Sequence, residues 1–274
     1  MNSYTSKSLP EIDLCVLIPC YNNQEGLIKS LQSIVYKPEK LWVLIVDDGS
    51  LMPVQEEAIA STGISFRFHV IRLYKNEGIT HALNTGLQWI EDHLQTRFVA
   101  RLDCGDLCHQ ERFFKQVKFL DENTQVGLLG SWCEFHNPQT GLKYAYTTPL
   151  EHASILSEMH FRNVFIHPTV VFRSELIKET GKYPIEYPYV EDYALFFKML
   201  HKTKGAILND FLVTCELNPK GISLSNRKEQ LFGRRSVVSD YGVFAFKKIA
   251  GEFKLLFLSF LPYGLVHLVK SKLS

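Results

Sequence analysis

The carboxylates Asp103 and Asp106 lie in the stretch Ala100-Arg101-Leu102-Asp103-Cys104-Gly105-Asp106. They follow the apolar run Phe98-Val99-Ala100, which reads as a buried strand running out into a turn. Carboxylates at the carboxyl end of a strand stand where open α/β sheets bind ligands. Their oxygens suit a hard divalent cation or the hydroxyls of a nucleotide sugar. Taken alone, the stretch fits a solvated turn equally well, with Asp106 capping the next helix. A second acidic pair, Glu191-Asp192, opens a helical stretch after a Pro-containing loop. By position alone it fits a general base or a first-turn acid.

The elements that must hold these groups follow from the apolar pattern. Leu14 to Ile18 is apolar throughout, as in a strand buried on both faces. Leu27, Ile28, Leu31, Ile34 and Val35 have helical spacing between Asn23 and Tyr36. Leu41 to Val46 is a second strand, running into Asp47-Asp48-Gly49-Ser50, and a helix is expected from Val54 to Ala60. Phe66 to Leu73 and Arg97 to Leu102 are further strands, followed by helices Glu77 to Asp92 and Gln110 to Leu120. This alternation is the sign of an α/β doubly wound, mainly parallel sheet. Polar residues gather after each strand, at Asn22 and Asn23, Asp47 and Asp48, Asn76, then Asp103 and Asp106. Loops after parallel strands share one sheet edge and can build one site.

The second half is less regular. Strands are expected at Val126 to Phe135, Val164 to Phe172 and Ala206 to Cys215, with a hairpin or loop around Pro138 to Gly141. Helices are expected at Val190 to His201 and from Asn226 to about Lys248. The organisation is one domain over residues 1–225 with a helical tail over 226–274.

With 46% hydrophobic and 22% charged residues, the 274-residue chain can bury a full core. A net charge of +1 gives no basis for a nucleic-acid partner. The six cysteines show no CxxC pair and no zinc-finger spacing, as in a reduced, cytoplasmic chain. Met1 to Pro10 is polar and has no signal core. Phe253 to Val269 is rich in Phe, Leu and Val, is broken by Pro262 and Gly264, and carries Lys254, Lys270 and Lys272 within or after it. Its unbroken run, Leu255 to Pro262, falls short of the about 20 residues a membrane span needs. It fits a membrane-surface segment with a basic rim, or a terminal helix docked on the core or a second subunit.

Several of these stretches occur together in an informative order. They are Val16-Leu-Ile-Pro-Cys-Tyr-Asn22, Val46-Asp-Asp-Gly-Ser50, Asn76-Glu-Gly78 with Ala82-Leu-Asn84, Ala100 to Asp106, Glu111-Arg112, His167-Pro-Thr169 and Glu191-Asp-Tyr193. The set resembles the family 2 glycosyltransferases, which have the GT-A fold, and covers roughly Asp13 to Arg227. The subgroup it is most similar to builds bacterial lipopolysaccharide, capsule or exopolysaccharide. The resemblance implies inverting transfer of a sugar from a UDP-sugar to a saccharide or lipid-linked acceptor at the cytoplasmic membrane face.

The resemblance also implies roles. Pro19, Tyr21 and Asn22 would hold the nucleotide, with Tyr21 stacking on the base. Asp48 would accept from a pyrimidine ring N–H, which favours uracil over cytosine. Asn76, Asn84 and Asp103 complete the nucleotide-sugar side. Asp103 and Asp106 would hold a divalent metal, Mg²⁺ or Mn²⁺. Asp192 would be the general base, with Glu191, His167 and Trp132 on the acceptor side. Two departures bear on the metal. Gly105 stands where relatives carry an acid, although it tolerates backbone that other residues resist. Asn218 stands where relatives carry His. Competing readings are a sugar nucleotidyltransferase, whose Gly-rich basic phosphate loop Cys20-Tyr21-Asn22-Asn23 does not match, and a degenerate, non-catalytic nucleotide- or carbohydrate-binding relative.

Overall fold

The computed structural model describes residues 11–217 and 226–260. Asn218, Met1 to Pro10 and the tail beyond Phe260, with Lys270 and Lys272, lie outside the described residues.

A single mixed sheet organises the molecule, in the order β3-β2-β1-β4-β8-β6-β9-β5, with β7 paired to β6. Its first half is parallel: β1 (Glu11–Cys20), β2 (Leu41–Asp47), β3 (Arg67–Arg72) and β4 (Gln95–Arg101). The helices α1 (Gln24–Ser33), α2 (Glu56–Ala60) and α3 (Ile79–His93) connect them. A short β5 (Leu107–Cys108) and α4 (Arg112–Glu122) follow β4. The sheet then continues with β6 (Val126–His136), β7 (Lys143–Tyr146), β8 (Val171–Arg173) and β9 (Lys204–Glu216). Between these strands lie α5 (His152–Glu158), α6 (Leu176–Thr180) and α7 (Glu191–Leu200), and α8 (Arg227–Tyr241) and α9 (Ala245–Phe260) close the described chain.

The continuous apolar reading of β1 has a simple cause. Leu14, Val16 and Ile18 face one core with Leu27, Leu31, Phe113 and Leu120, while Cys15 and Leu17 face the other with Leu83, Leu87 and Phe196. A strand covered on both faces leaves no polar side to alternate with.

Two expected elements are corrected. The strand over Val164 to Phe172 is broken, because Pro168 has no N–H for a ladder and sits in a 3₁₀ turn at His167–Thr169. Only Val171–Arg173 joins the sheet, between β4 and β6. The helix expected from Asn226 to Lys248 ends at Tyr241, where Gly242 takes extended backbone, and α9 begins anew. The short β5, α5 and α6 were not expected from periodicity. Leu231, Val237, Val238 and Leu255 belong to the same core as β1 and α3, so the core crosses the expected boundary at 225 and 226. Among the described residues no helix is long and apolar enough to cross a membrane.

The last helix is seated by a missing side chain. A Cβ on Gly251 would stand 1.9 Å from the carbonyl oxygen of His160. Gly251→Ala would gain roughly 0.5–1 kcal/mol of helix propensity. A backbone clash of this kind costs about 1–3 kcal/mol, so the variant is expected to unfold at lower denaturant concentration. An unchanged or higher midpoint would contradict this seating.

Candidate active site

The chain order reverses at β1, whose neighbours are β2 on one side and β4 on the other. Ligands of open α/β sheets bind at such a switch point, outside the carboxyl ends of the strands. The loops after Cys20 and Arg101 flank it. Asn22 adopts left-handed backbone at φ 51°. Its N–H donates to Ser50 Oγ at 2.8 Å, and its Oδ1 accepts from the Leu51 N–H at 2.8 Å. The first two loops are thereby tied together. Asn23 caps α1 by accepting from the Gly26 N–H at 3.0 Å and donates to the Cys104 carbonyl at 3.3 Å. A cleft of about 450 Å³ opens here, lined by Cys20, Asn22, Asn23, Ser50, Leu51 and Met52. Pro19 lies within β1, paired with Val46, and the Tyr21 ring beside the cleft is exposed.

The two acids after β2 divide their work. Asp47 is buried and accepts from the Ser50 and Val54 N–H groups at 2.9 and 3.0 Å, which shapes its own turn. Asp48 accepts from the Glu77 N–H at 2.8 Å, and from the Gly78 N–H and Asn76 Nδ2 at 3.0 Å each. A carboxylate offers about four acceptor positions, so three protein donors leave room for one more. Burial pushes the Asp48 carboxyl up, against the pull of the Glu77 and Gly78 N–H groups. Gly49 lets the β2 and β3 loops meet: at φ +67° its Cβ would lie 2.2 Å from the Lys75 carbonyl carbon.

Arg101 links the ends of β1 and β4 to the second half of the chain. It is fully buried. Its Nη1 donates to the Leu17 carbonyl, its Nη2 to Asp103 Oδ1 at 2.6 Å and its Nε to His167 Nε2 at 3.1 Å. The Tyr183 hydroxyl also meets His167 Nε2, at 2.8 Å. Burial, and then the Arg101 charge, hold the His167 imidazole well below its usual range. The ring is therefore neutral, with its proton on Nδ1. Asn84 clamps the backbone of Tyr183 from α3, donating to its carbonyl at 2.8 Å and accepting its N–H at 2.9 Å. Both ends of the Asn84 amide are thus spent on the fold rather than offered to a nucleotide. His167 acts here through Arg101 and Tyr183.

The acidic turn itself is held by α1. Ser30 Oγ accepts from the Gly105 N–H at 2.9 Å and donates to the Asp103 carbonyl at 3.4 Å. Gly105 has φ +110°, in the region that favours glycine. Asp103 keeps a part-exposed carboxylate. Asp106 turns inward and is buried, accepting from the Glu216 N–H at 2.8 Å. Burial, and then the Asp103 charge, push the Asp106 carboxyl well above its usual range. Among the described residues no group of three or more His, Cys, Asp or Glu is arranged to hold a metal ion. Of the two acids expected to hold a metal, Asp103 accepts from Arg101 Nη2 and Asp106 accepts from the Glu216 N–H through Oδ1.

Glu191 and Asp192 open α7 behind a strained turn, with Tyr189 at φ 67°. Asp192 accepts from Asn163 Nδ2 at 2.9 Å and from the Tyr193 N–H at 2.7 Å. Burial raises its carboxyl to about 6. Glu191 is buried, with Oε2 unpaired, and burial followed by the Asp192 charge raises it to about 7. The charges of Asp103 and Arg101 reach Glu191, and that of Asp103 reaches Asp192. Asp103 is therefore within electrostatic reach of the α7 acids and of Tyr183.

Trp132 stands apart from this cluster. Its Nε1–H donates to the Thr148 carbonyl at 3.0 Å and its ring tilts against Phe211, which places it in the β6–β9 layer. Sequence reasoning overlooked Arg101, Tyr183 and Asn163. Arg101 did carry a signal, as a cation directly after the apolar run Phe98-Val99-Ala100, since such a group is buried only when paired. Tyr183 and Asn163 come from irregular loops and carried none. Arg101→Met is expected to cost about 3 kcal/mol of stability, measured by denaturant unfolding, because Asp103 and the Leu17 carbonyl lose their donor. A loss under about 1 kcal/mol, the range of a surface pair, would contradict the role given to this guanidinium.

Comparisons with known proteins bear on the family and the fold. The glycosyl transferase family 2 pattern matches residues 15–180. The amylovoran biosynthesis glycosyltransferase AmsE of Erwinia amylovora is 30% identical over 193 residues, 68% of each chain. An Escherichia coli UDP-Gal:alpha-D-GlcNAc-diphosphoundecaprenol beta-1,3-galactosyltransferase is 32% identical over 199 residues, 71% of this chain and 70% of that one. Among solved structures, Staphylococcus aureus TarS 1–349 in complex with UDP-GlcNAc superposes with a TM-score of 0.68 at 18% identity, covering 89% of this chain and 72% of that one. The Pyrobaculum calidifontis mannosyltransferase PcManGT, in complex with GDP-Man and Mn²⁺, gives 0.62 at 19% identity, covering 90% and 69%. These likenesses establish the GT-A fold. With the matched pattern spanning more than half its length, the chain is a glycosyltransferase of family 2.

Proposed function

We propose that the enzyme is an inverting transferase that moves a hexose or N-acetylhexosamine from a UDP-sugar to a saccharide or lipid-linked acceptor. The polymer it serves would be lipopolysaccharide, capsule or exopolysaccharide. The observation that carries this reading is the buried Arg101 guanidinium, which ties Asp103 to the β1 strand at the sheet's switch point and, through His167, to Tyr183. The names of the Erwinia and Escherichia relatives, a polysaccharide enzyme and a transferase to a lipid diphosphate, support the choice of acceptor. The UDP-GlcNAc complex of TarS supports the choice of donor.

In this proposal the uracil N3–H takes the remaining acceptor position of Asp48, and Tyr21 stacks on the base. Asp103 meets the sugar nucleotide. Asp192 removes the proton of the acceptor hydroxyl, whose oxygen attacks the anomeric carbon as the bond to the diphosphate breaks and UDP departs. Held by Asn163 and the Tyr193 N–H, the carboxylate is fixed in direction. Its raised pKa brings it nearer the range in which a base works at neutral pH. Glu191 lies beside it on the acceptor side. A lipid-linked acceptor puts the work at the cytoplasmic face of a membrane, with peripheral contact. The deciding assay is UDP release from a panel of UDP-sugars, with and without a lipid-diphosphate saccharide. Acceptor-dependent release is expected. UDP binding with no turnover on any acceptor would favour the non-catalytic relative.

The acid groups set a pH dependence. Activity, as kcat/KM, is expected to rise through about pH 6 as Asp192 loses its proton. Asp192→Asn should lower kcat at least about 100-fold, the smaller end of base catalysis, and remove this limb. Stability runs the other way. Glu191 and Asp192 have folded pKa values above their unfolded ones, so the folded state binds more protons between the two. Stability should fall as pH rises from the usual carboxylate range through about 7. Unfolding midpoints across this range check the sign.

A divalent cation, Mg²⁺ or Mn²⁺, is proposed to matter less here than in relatives with a third acid. Asp103 offers an outward oxygen, Asp106 is committed to Glu216, and position 105 has no side chain. By calorimetry, Mg²⁺ or Mn²⁺ should tighten UDP binding less than about tenfold over EDTA, equivalent to about 1.4 kcal/mol. A larger gain that disappears in Asp106→Asn would contradict this.

A further inference from the structure

Helix α9 has two unlike faces. Gly251 and Leu255 are buried against the core, where Gly251 meets the His160 carbonyl. On the other side, Phe246, Ile249, Phe253, Phe257 and Phe260 are all more than half exposed, from 57% at Ile249 to 84% at Phe246. With 3.6 residues per turn these five fall within an arc of about 80°. Scattered exposed apolar residues need no explanation, whereas a contiguous bulky stripe marks an interaction surface.

We propose that this stripe docks the enzyme on an anionic lipid bilayer, with α9 lying in the plane of the interface. Charge selects this occupant. Residues 226–274 hold nine Lys and Arg against three Asp and Glu, while the whole chain holds 30 against 29. The basic excess is therefore concentrated in the part of the chain that carries the stripe. Lys254, exposed and with its ammonium over the Phe161 ring, lies along one flank of it, beside the part-exposed Lys247, whose Nζ donates to Ser157 Oγ at 2.5 Å. Phenylalanines on one face with lysines beside them are the composition of an interfacial helix, which binds through apolar burial and attraction to anionic lipid. The helix is not long and apolar enough to span. The sequence expectation put the membrane segment at Phe253 to Val269; the exposed stripe begins earlier, at Phe246.

This inference gives the peripheral membrane contact of the proposed function its surface and its lipid chemistry, and its test involves neither donor nor acceptor. The full chain would be sedimented with phosphatidylglycerol-containing vesicles and with phosphatidylcholine vesicles, beside the double variant Phe253→Ser, Phe257→Ser. The wild type should bind the anionic vesicles at least tenfold more strongly than the neutral ones. The double variant should lose at least tenfold of that binding while keeping its melting temperature. Lys254→Gln should lower anionic binding without affecting the neutral vesicles. Three results would overturn the proposal. One is absence of wild-type binding to anionic vesicles. The second is equal binding by the double variant. The third is a concentration-dependent dimer, seen by light scattering and lost in the double variant, which would assign the stripe to a second copy. A fall in the double variant's melting temperature without vesicle binding would assign it to the chain's own segment 261–274, and would equally overturn it.

Discussion

The Arg101 guanidinium is the interaction on which the site depends. A fully buried cation loses several kcal/mol of hydration, and only partners placed around it can offset that. Here they come from separate parts of the chain: the Leu17 carbonyl on β1, Asp103 at the end of β4 and His167 in the 3₁₀ turn. Because one planar group must satisfy all three, their relative positions are fixed together. His167 passes the constraint to Tyr183, and Tyr183 to Asn84 on α3. A second buried arginine supports the same strand end, as Arg112 Nη2 donates to the Arg101 carbonyl at 2.8 Å. The acidic turn is therefore held by groups in the core, although Asp103 keeps a part-exposed carboxylate.

Around this anchor the two halves of the sheet contribute unlike chemistry. The parallel half supplies loops rich in Asn and Asp, braced against each other by Asn22, Ser50 and Asp48. The mixed half supplies α7, which opens on the buried Glu191 and the part-buried Asp192, both with raised pKa values. Like charges that converge must be kept apart in function or in protonation. Asp103 is neutralised in part by Arg101, Asp106 is withdrawn toward β9, and Glu191 and Asp192 remain to take up protons. The proposed division between a donor side and a base side rests on these environments.

Much of this was legible in the sequence. The parallel half and its edge loops followed from apolar runs and helical spacing, because strands covered on both faces leave no ambiguity. Asp103, Asp192 and Glu191 were found by type and position, and the resemblance to the family then gave them roles. What failed to show was tertiary. Nothing local says that Asn84 spends its amide on Tyr183, that Asp106 accepts from Glu216, or that Trp132 belongs to the β6–β9 layer. Each such bond joins residues far apart in the chain, including 99 positions for Asn84 with Tyr183 and 110 for Asp106 with Glu216. Pro168 was visible, but its consequence was underestimated: it breaks a strand and thereby brings His167 onto Arg101.

The measurement that bears most directly on this account is the affinity of UDP-sugar donor for the wild type, Asp103→Asn and Asp192→Asn, by calorimetry without acceptor. If the acidic turn serves the donor and α7 supplies the base, Asp103→Asn weakens binding at least tenfold while Asp192→Asn leaves it unchanged. Equal weakening by both variants, or none by Asp103→Asn, would contradict the division of the site.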